Sequence, residues 1–301
     1  MPKRLRLPAI AVAVLMITAL TFLPSTHGQQ SLQKEPGAVY DSDVPNEKPG
    51  PAPKRSLAGI WEPAHSIGDG TQADGAKAMP ADGKPEHEPP YTPEGQKAWM
   101  ADKPTFGYRQ VPPADSNDPV PGCDPQGFPR IVLHNFRTSW IIQNQDNVVI
   151  LYEFNKKWRV IWTDGRALPK DAENPSWASL PDLQESRWWG YSVGKWMDDY
   201  TFVAESNGFR DKTWLDNGGR PHSAALHVIE TYHRPDAKHL EMSITIDDPK
   251  YYTKPWLALD KLSLRLQSPH FDFFEQECSP SETKEYNEFY GDPASKGLPS
   301  K

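Results

Sequence analysis

From Arg130 onward, short runs of β-branched and aromatic residues alternate with clusters of Gly, Pro, Asn and Asp. That texture predicts strands joined by turns. The runs are 131–134, 137–143, 148–153, 158–163, 189–196, 201–205, 226–234, 240–246 and 257–266, with 271–274 as a candidate last strand. Upstream, 56–61 reads as the first strand. Thr92 is placed as the N-cap of a helix, with Pro93 at its first position and Glu94 near the positive end of its dipole. That helix should run to about Ala101 and stop before Pro104. Ser279-Pro280-Ser281-Glu282 opens a second helix that ends near Gly291. Residues 63–91 and 104–129 are rich in Pro, Gly and Asp and read as irregular. The chain is therefore expected to be mainly β: an antiparallel β-barrel or strongly curved sheet of about nine or ten strands, with one or two peripheral short helices.

Side chains alternate along a strand, so opposed residues in a hairpin share a face. Across Asn155-Lys156-Lys157, matching the apolar faces pairs Phe154 with Trp158, Glu153 with Arg159, Tyr152 with Val160 and Ile150 with Trp162. Across 235–238 it pairs Tyr232 with Met242, Glu230 with Ile244 and Val228 with Ile246. The opposite face then pairs His233 with Glu241 and His227 with Asp247. Glu230 falls on the inward face, with Leu226, Val228 and Tyr232. A buried carboxylate needs a partner or a raised pKa. Glu230 is thus either half of an ion pair with a barrel arginine such as Arg166 or Arg265, or an acid that touches a ligand in the lumen.

The N-terminus changes the picture. Lys3, Arg4 and Arg6 precede an apolar stretch over 7–23, and 24–28 resembles a cleavage region before Gln29. This is the pattern of a secretory signal peptide over 1–28, and it predicts a secreted or periplasmic protein with no integral membrane span after cleavage. Residues 29–56 read as a disordered tether, 57–291 as a single β-barrel-like domain and 292–301 as a disordered tail. The chain has 33 Lys and Arg against 40 Asp and Glu, a net charge of −7; losing the three basic residues of the leader takes it to −10. With no basic run, binding to nucleic acid is not expected. Cys123 and Cys278 are the two cysteines. In an oxidising compartment they should form one disulfide. It would close a loop of about 155 residues, worth about 4–5 kcal/mol in the chain-entropy model.

The residues suited to chemistry crowd into three long connections, 164–187, 206–224 and 247–256. If the strands run up and down in order, all three emerge on one rim, and long loops on a rigid scaffold are where binding residues collect. The candidate ligand-binding set is Asp164, Arg166, Lys212, Trp214, Asp216, His222, Glu230, Asp248, Lys254 and Trp256. His222, His227, Asp247 and Asp211 are acid-base candidates, because a carboxylate beside an imidazole can orient it and raise its basicity. Duller readings stand beside these. Asp164-Gly165 and Asp247-Asp248-Pro249 are ordinary turn chemistry. Trp214 or Trp256 can plug the barrel end, and His227 with Asp247 can be a surface pair.

Gly190-Tyr191-Ser192-Val193-Gly194 has the letters of a nucleophile elbow, but it lies in a β stretch, and that motif needs a strand-turn-helix setting. No metal-ligand spacing, phosphate loop or dinucleotide motif is present, so no metal and no cofactor are expected. The run GYSVGKW, TFVAESNGFRDKTWLDNGGRPHSAALHVIETYHR and LEMSITIDDPKYYTKPW, preceded by WTDGRALP, resembles an uncharacterised family of secreted bacterial proteins. The resemblance spans 57–290 and implies the compartment and the single domain, with 178–187 as an insertion. Gly59-Ile60-Trp61 is also similar to the Gly-x-Trp signature of lipocalin-like barrels, which implies that Arg265 packs over Trp61.

Together these features predict a secreted or periplasmic barrel that binds a small, partly apolar ligand at its loop-bearing rim. The alternatives are a hydrolase or isomerase with a His/Asp pair at that rim, and an envelope module that meets another protein through rim tryptophans.

Overall fold

A computed structural model describes residues 48–64, 76–134, 136–169, 187–275 and 277–291. The expected leader over 1–28, most of the tether, the tail over 292–301 and most of the 178–187 insertion lie outside these residues. The strands are β1 (Gly59–Pro63), β2 (Ser139–Gln143), β3 (Asn147–Tyr152), β4 (Lys157–Trp162), β5 (Tyr191–Trp196), β6 (Thr201–Asn207), β7 (His227–His233), β8 (His239–Asp247) and β9 (Trp256–Leu266). They pair in sequence order, and β9 returns to β1, closing a barrel. Three helices are α1 (Pro93–Ala101), α2 (Arg130–Leu133) and α3 (Pro280–Tyr286).

Thr92 caps α1 as expected, its Oγ1 accepting from the Gly95 N–H at 3.0 Å, and Ser279 caps α3 in the same way. Residues 131–134 are not a strand but α2 and its cap. Ile131, Val132 and Leu133 are buried on every side of this turn, so they lack the alternation that would separate a strand from a buried helix. With Phe128 and Phe136 they fill one end of the barrel. Residues 271–274 form no strand; Glu153 Oε1 accepts the Phe274 N–H at 3.1 Å as that segment passes over the wall.

Two expectations about the sheet are corrected. First, β4 and β5 run parallel, joined through Ile161↔Ser192 and Trp162↔Val193. A parallel neighbour needs a connection that returns to the starting end. The 164–187 connection therefore leaves from the end opposite to 206–224 and 247–256, and the three do not share a rim. Second, β3 and β4 pair as Tyr152↔Lys157, Ile150↔Arg159 and Val148↔Ile161. This differs from the expected register by an odd number of residues, which flips β4. Arg159 and Ile161 point inward, while Trp158 lies exposed on the outer wall. The β7–β8 hairpin has the expected register throughout, from His227↔Asp247 to His233↔Glu241.

The flipped β4 supplies the partner for Glu230. Arg159 Nη2 donates to both Glu230 oxygens at 2.7 Å, and the Tyr232 hydroxyl donates to Oε1 at 2.7 Å. The ion pair is there, with Arg159 in place of Arg166 or Arg265. Arg159 also lies 3.7 Å from the Phe128 ring centroid. Buried side chains fill the lumen, and a void of about 10 Å³ beside Tyr152 and Tyr232 has room for about one water. Arg265 bonds Glu62 instead of covering Trp61, and the cation over Trp61 is Arg234, at 4.9 Å. Ser192 sits inside on β5 with its hydroxyl 2.7 Å from that of Ser206, so the Gly-x-Ser-x-Gly letters carry no nucleophile. Cys123 and Cys278 form the expected disulfide.

Candidate functional site

The loop-bearing end carries residues 76–134, 208–226 and 248–255. Helix α1 docks on the last of these. Thr92 Oγ1 donates to the Lys250 carbonyl at 2.7 Å, and a Cβ on Gly95 would fall 2.0 Å from the Tyr251 carbonyl oxygen, so only glycine permits the approach. Docking brings Ala98, Ala101 and the C-cap residue Asp102 to the barrel end. Arg109 lies over the Trp99 ring at 4.2 Å and donates to the carbonyls of Trp99, Met100 and Asp102, satisfying the last turn of the helix.

The 208–226 loop is held by a buried ion pair. Arg220 Nη1 donates to Asp216 Oδ2 at 2.8 Å, and Asp216 also accepts from the backbone N–H groups of Ala76 and Gly218. Arg220 reaches on to the carbonyls of Met79 and His87. Gly219, at φ +75°, lets the turn lie against Pro104 and Asp102. The loop folds back on itself through Trp214↔Pro221. It thereby presents Thr213, Trp214, Pro221 and His222 toward the end of α1.

His222 is buried, and its two nitrogens have distinct partners. Nδ1 lies 3.2 Å from the Ser223 carbonyl oxygen and Nε2 lies 2.8 Å from Thr213 Oγ1. A carbonyl can only accept, so Nδ1 carries the proton and Nε2 accepts from the Thr213 hydroxyl. Burial lowers the His222 pKa, outweighing the Ser223 carbonyl and the carboxylates of Asp248 and Asp211, and keeps the ring neutral. Asp248 fixes the next residue: its oxygens accept from the Ser223 N–H at 2.6 Å and the Ser223 hydroxyl at 2.8 Å.

Between these elements lies a cleft of about 370 Å³ lined by Asp102, Asn117, Asp211, Lys212, Thr213, Trp214, His222 and Tyr251, with Ala98, Ala101, Pro119 and Pro221. Of the residues expected from sequence, Asp211, Lys212, Trp214 and His222 meet here. Asp216 and Asp248 are buried props of the loops. Glu230 is in the lumen, and Trp256 is buried beside Tyr252. Lys254 is exposed and does not line the cleft. His227 and Asp247 face outward, with His227 Nε2 3.3 Å from Glu205. Asp164 and Arg166 pair with each other on the outer wall, where Arg166 also reaches the Tyr191 hydroxyl at 3.0 Å.

Asp102, Asn117, Thr213 and Tyr251 enter the site without having been singled out. Asp102 did leave a trace in the sequence. It follows directly on a predicted helix, at the negative end of the dipole, where a carboxylate is disfavoured. In the fold its pKa is raised from 3.8 to about 7, through burial first and the Asp118 carboxylate second. A hydrogen bond from the Trp214 side chain and the charges of Arg109 and Arg130 oppose the shift. Arg130 is itself engaged by Asp118 through bonds of 2.9 and 2.6 Å.

A carboxyl group whose folded pKa lies above its unfolded value favours folding at low pH, and that contribution disappears as pH rises from 3.8 to about 7. Asp102→Asn should therefore be neutral at pH 4 and stabilising at pH 8, by on the order of 2 kcal/mol after discounting for partial exposure. Urea unfolding of both proteins across this range measures the difference. Equal stability at pH 8 would show that the Asp102 carboxylate is not desolvated.

Fold and site together define a closed nine-stranded β-barrel with a polar cleft at one end. Comparisons with protein families, curated proteins and solved structures found no match for this chain. Among the described residues, no group of three or more His, Cys, Asp and Glu could hold a metal ion, and no helix is long and apolar enough to cross a membrane.

Proposed function

We propose that the protein is a secreted or periplasmic barrel that binds a small polar ligand in the cleft at its loop-bearing end. The observation that carries this is a cleft of about 370 Å³ on which Asp102, Asn117, Asp211, Lys212, His222 and Tyr251 converge, with burial raising the Asp102 carboxyl pKa. A perturbed carboxyl among convergent polar groups in a concave site is the physical mark of a binding or reacting centre. Lys212 and Asp211 offer opposite charges at the cleft, Asn117 and Tyr251 offer neutral donors, and Trp214 supplies the apolar wall. The packed lumen favours the cleft over the barrel interior as the binding place. The basic and apolar leader supports export, and the disulfide agrees with an oxidising compartment.

Native mass spectrometry of the protein recovered from its own periplasm or culture medium tests this reading. A small molecule should accompany the wild type and be lost from Lys212→Ala and Asp102→Asn, while Lys254→Ala retains it. A ligand retained by the first two variants, or no ligand in any form, counts against the cleft.

A further inference from the structure

One arrangement in the cleft exceeds what binding requires. The Thr213 hydroxyl donates to His222 Nε2 at 2.8 Å, and His222 Nδ1–H donates to the Ser223 carbonyl at 3.2 Å. Ser223 is fixed in turn by two bonds to the buried Asp248, at 2.6 and 2.8 Å. A hydroxyl within hydrogen-bond reach of an imidazole, with the ring oriented by a third group, is the general form of an activated nucleophile. Thr213 and His222 both line the cleft, so the pair faces a space where a substrate can sit. With Nδ1 donating to the Ser223 carbonyl, Nε2 is the ring atom placed to take the Thr213 proton.

We propose that Thr213 is a nucleophile for acyl transfer, with His222 as its general base, and that the cleft hydrolyses small carboxylic esters. This rests on the reading that the cleft admits a small molecule. Thr213 Oγ1 forms a bond to the ester carbonyl carbon as its proton passes to His222 Nε2, and the carbonyl π pair moves onto oxygen. When that pair returns, the bond to the alkoxy group breaks and the leaving alkoxide takes the proton from Nε2, giving acyl-Thr213 and an alcohol. Water then attacks the acyl carbon, giving its proton to Nε2. Collapse releases the carboxylic acid, and Thr213 Oγ1 recovers its proton from His222. No oxidant, metal or further reactant enters. The Lys212 ammonium is a donor in the same cleft for the negative oxygen. Ser223 and Asp248 act as positioning residues: they hold the ring tautomer and touch no substrate.

Acyl labelling separates this from a structural hydrogen bond. The full protein is mixed with p-nitrophenyl acetate or p-nitrophenyl butyrate, quenched, and mapped by peptide mass spectrometry. Acyl groups should appear on the peptide containing Thr213, persist in Thr213→Ser and vanish in Thr213→Val. His222→Gln should slow acylation by about 10²–10⁴-fold. If the wild type is not acylated by either ester, or if Thr213→Val takes label at the wild-type rate, the proposal is overturned. Native mass spectrometry of the wild type distinguishes the two failures. A ligand carried by the wild type without acylation removes the chemistry and leaves the binding site, whereas neither ligand nor acylation removes the cleft.

Discussion

Glu230→Ala is expected to cost about 3–5 kcal/mol of folding stability, because it leaves the Arg159 guanidinium charged and unpaired inside the barrel. Glu230 is fully buried and Arg159 nearly so, and the Glu230 carboxylate accepts three hydrogen bonds, two from Arg159 and one from Tyr232. Removing the acid strands all of these donors in a medium that cannot rehydrate them. The damage should spread to the barrel end, because Arg159 lies 3.7 Å from the Phe128 ring and Phe128 leads into α2. Denaturant unfolding gives the loss, and near-ultraviolet circular dichroism reports the loosened aromatic packing. The double variant Arg159→Met with Glu230→Leu should recover most of the stability, because an apolar pair of similar volume carries no desolvation cost. A single variant as stable as the wild type would mean that water reaches this pair.

Replacing Cys123 and Cys278 by serine is the second large effect. The bond closes a loop of 155 residues, and in the chain-entropy model its loss costs about 5 kcal/mol, with 2–5 kcal/mol typical of native bridges. The loss should fall unevenly. α3 has seven residues and none of them is buried, and so short a helix is marginal without tertiary packing. Without the bond, limited proteolysis should cut the chain after β9 while the barrel persists. Cys123 also ends the segment that carries Asn117 and Pro119 to the cleft, so retention of the proposed ligand should weaken in the same variant. Unchanged denaturant midpoints and an uncut C-terminal segment would show that noncovalent contacts hold it.

How far the sequence could be read depended on the turn. Between β7 and β8 the strands alternate without interruption and the loop is short, so the apolar face alone sets every pair. Between β3 and β4, Phe154–Lys156 form a 3₁₀ turn in which Asn155 and Lys156 have φ of 55° and 43°. That lengthens the turn, and the large tryptophans of β4 misled the face assignment by pointing outward. Exposed apolar residues are common on any surface, whereas a buried arginine is rare. Strand direction left no trace either: alternation is the same in a parallel and an antiparallel pair, so the turn of β5 alongside β4 was illegible. In the site, loop composition identified Asp211, Lys212, Trp214 and His222. Asp102 and Asn117 come from a segment about a hundred residues earlier in the chain, and only tertiary docking of α1 joins them. Thr213 stood in view beside Trp214, but nothing in its neighbours announces a bond to an imidazole nine positions on.

The parallel junction has a mechanical meaning. β4 and β5 meet through two residue pairs, whereas β5 and β6 share six and β7 and β8 share seven. Closure removes the edges that would otherwise recruit foreign strands, yet this hoop is fastened by its thinnest link. Gly194, just beyond the last of those pairs, has the Phe202 ring lying where a side chain would be, and a Cβ there would fall 2.3 Å from it. The same Cβ would fall 2.9 Å from Ile161 of β4, so the ring and β4 meet over this glycine. Strain on the hoop would part it at this point first, as an open curved sheet with two bare edges.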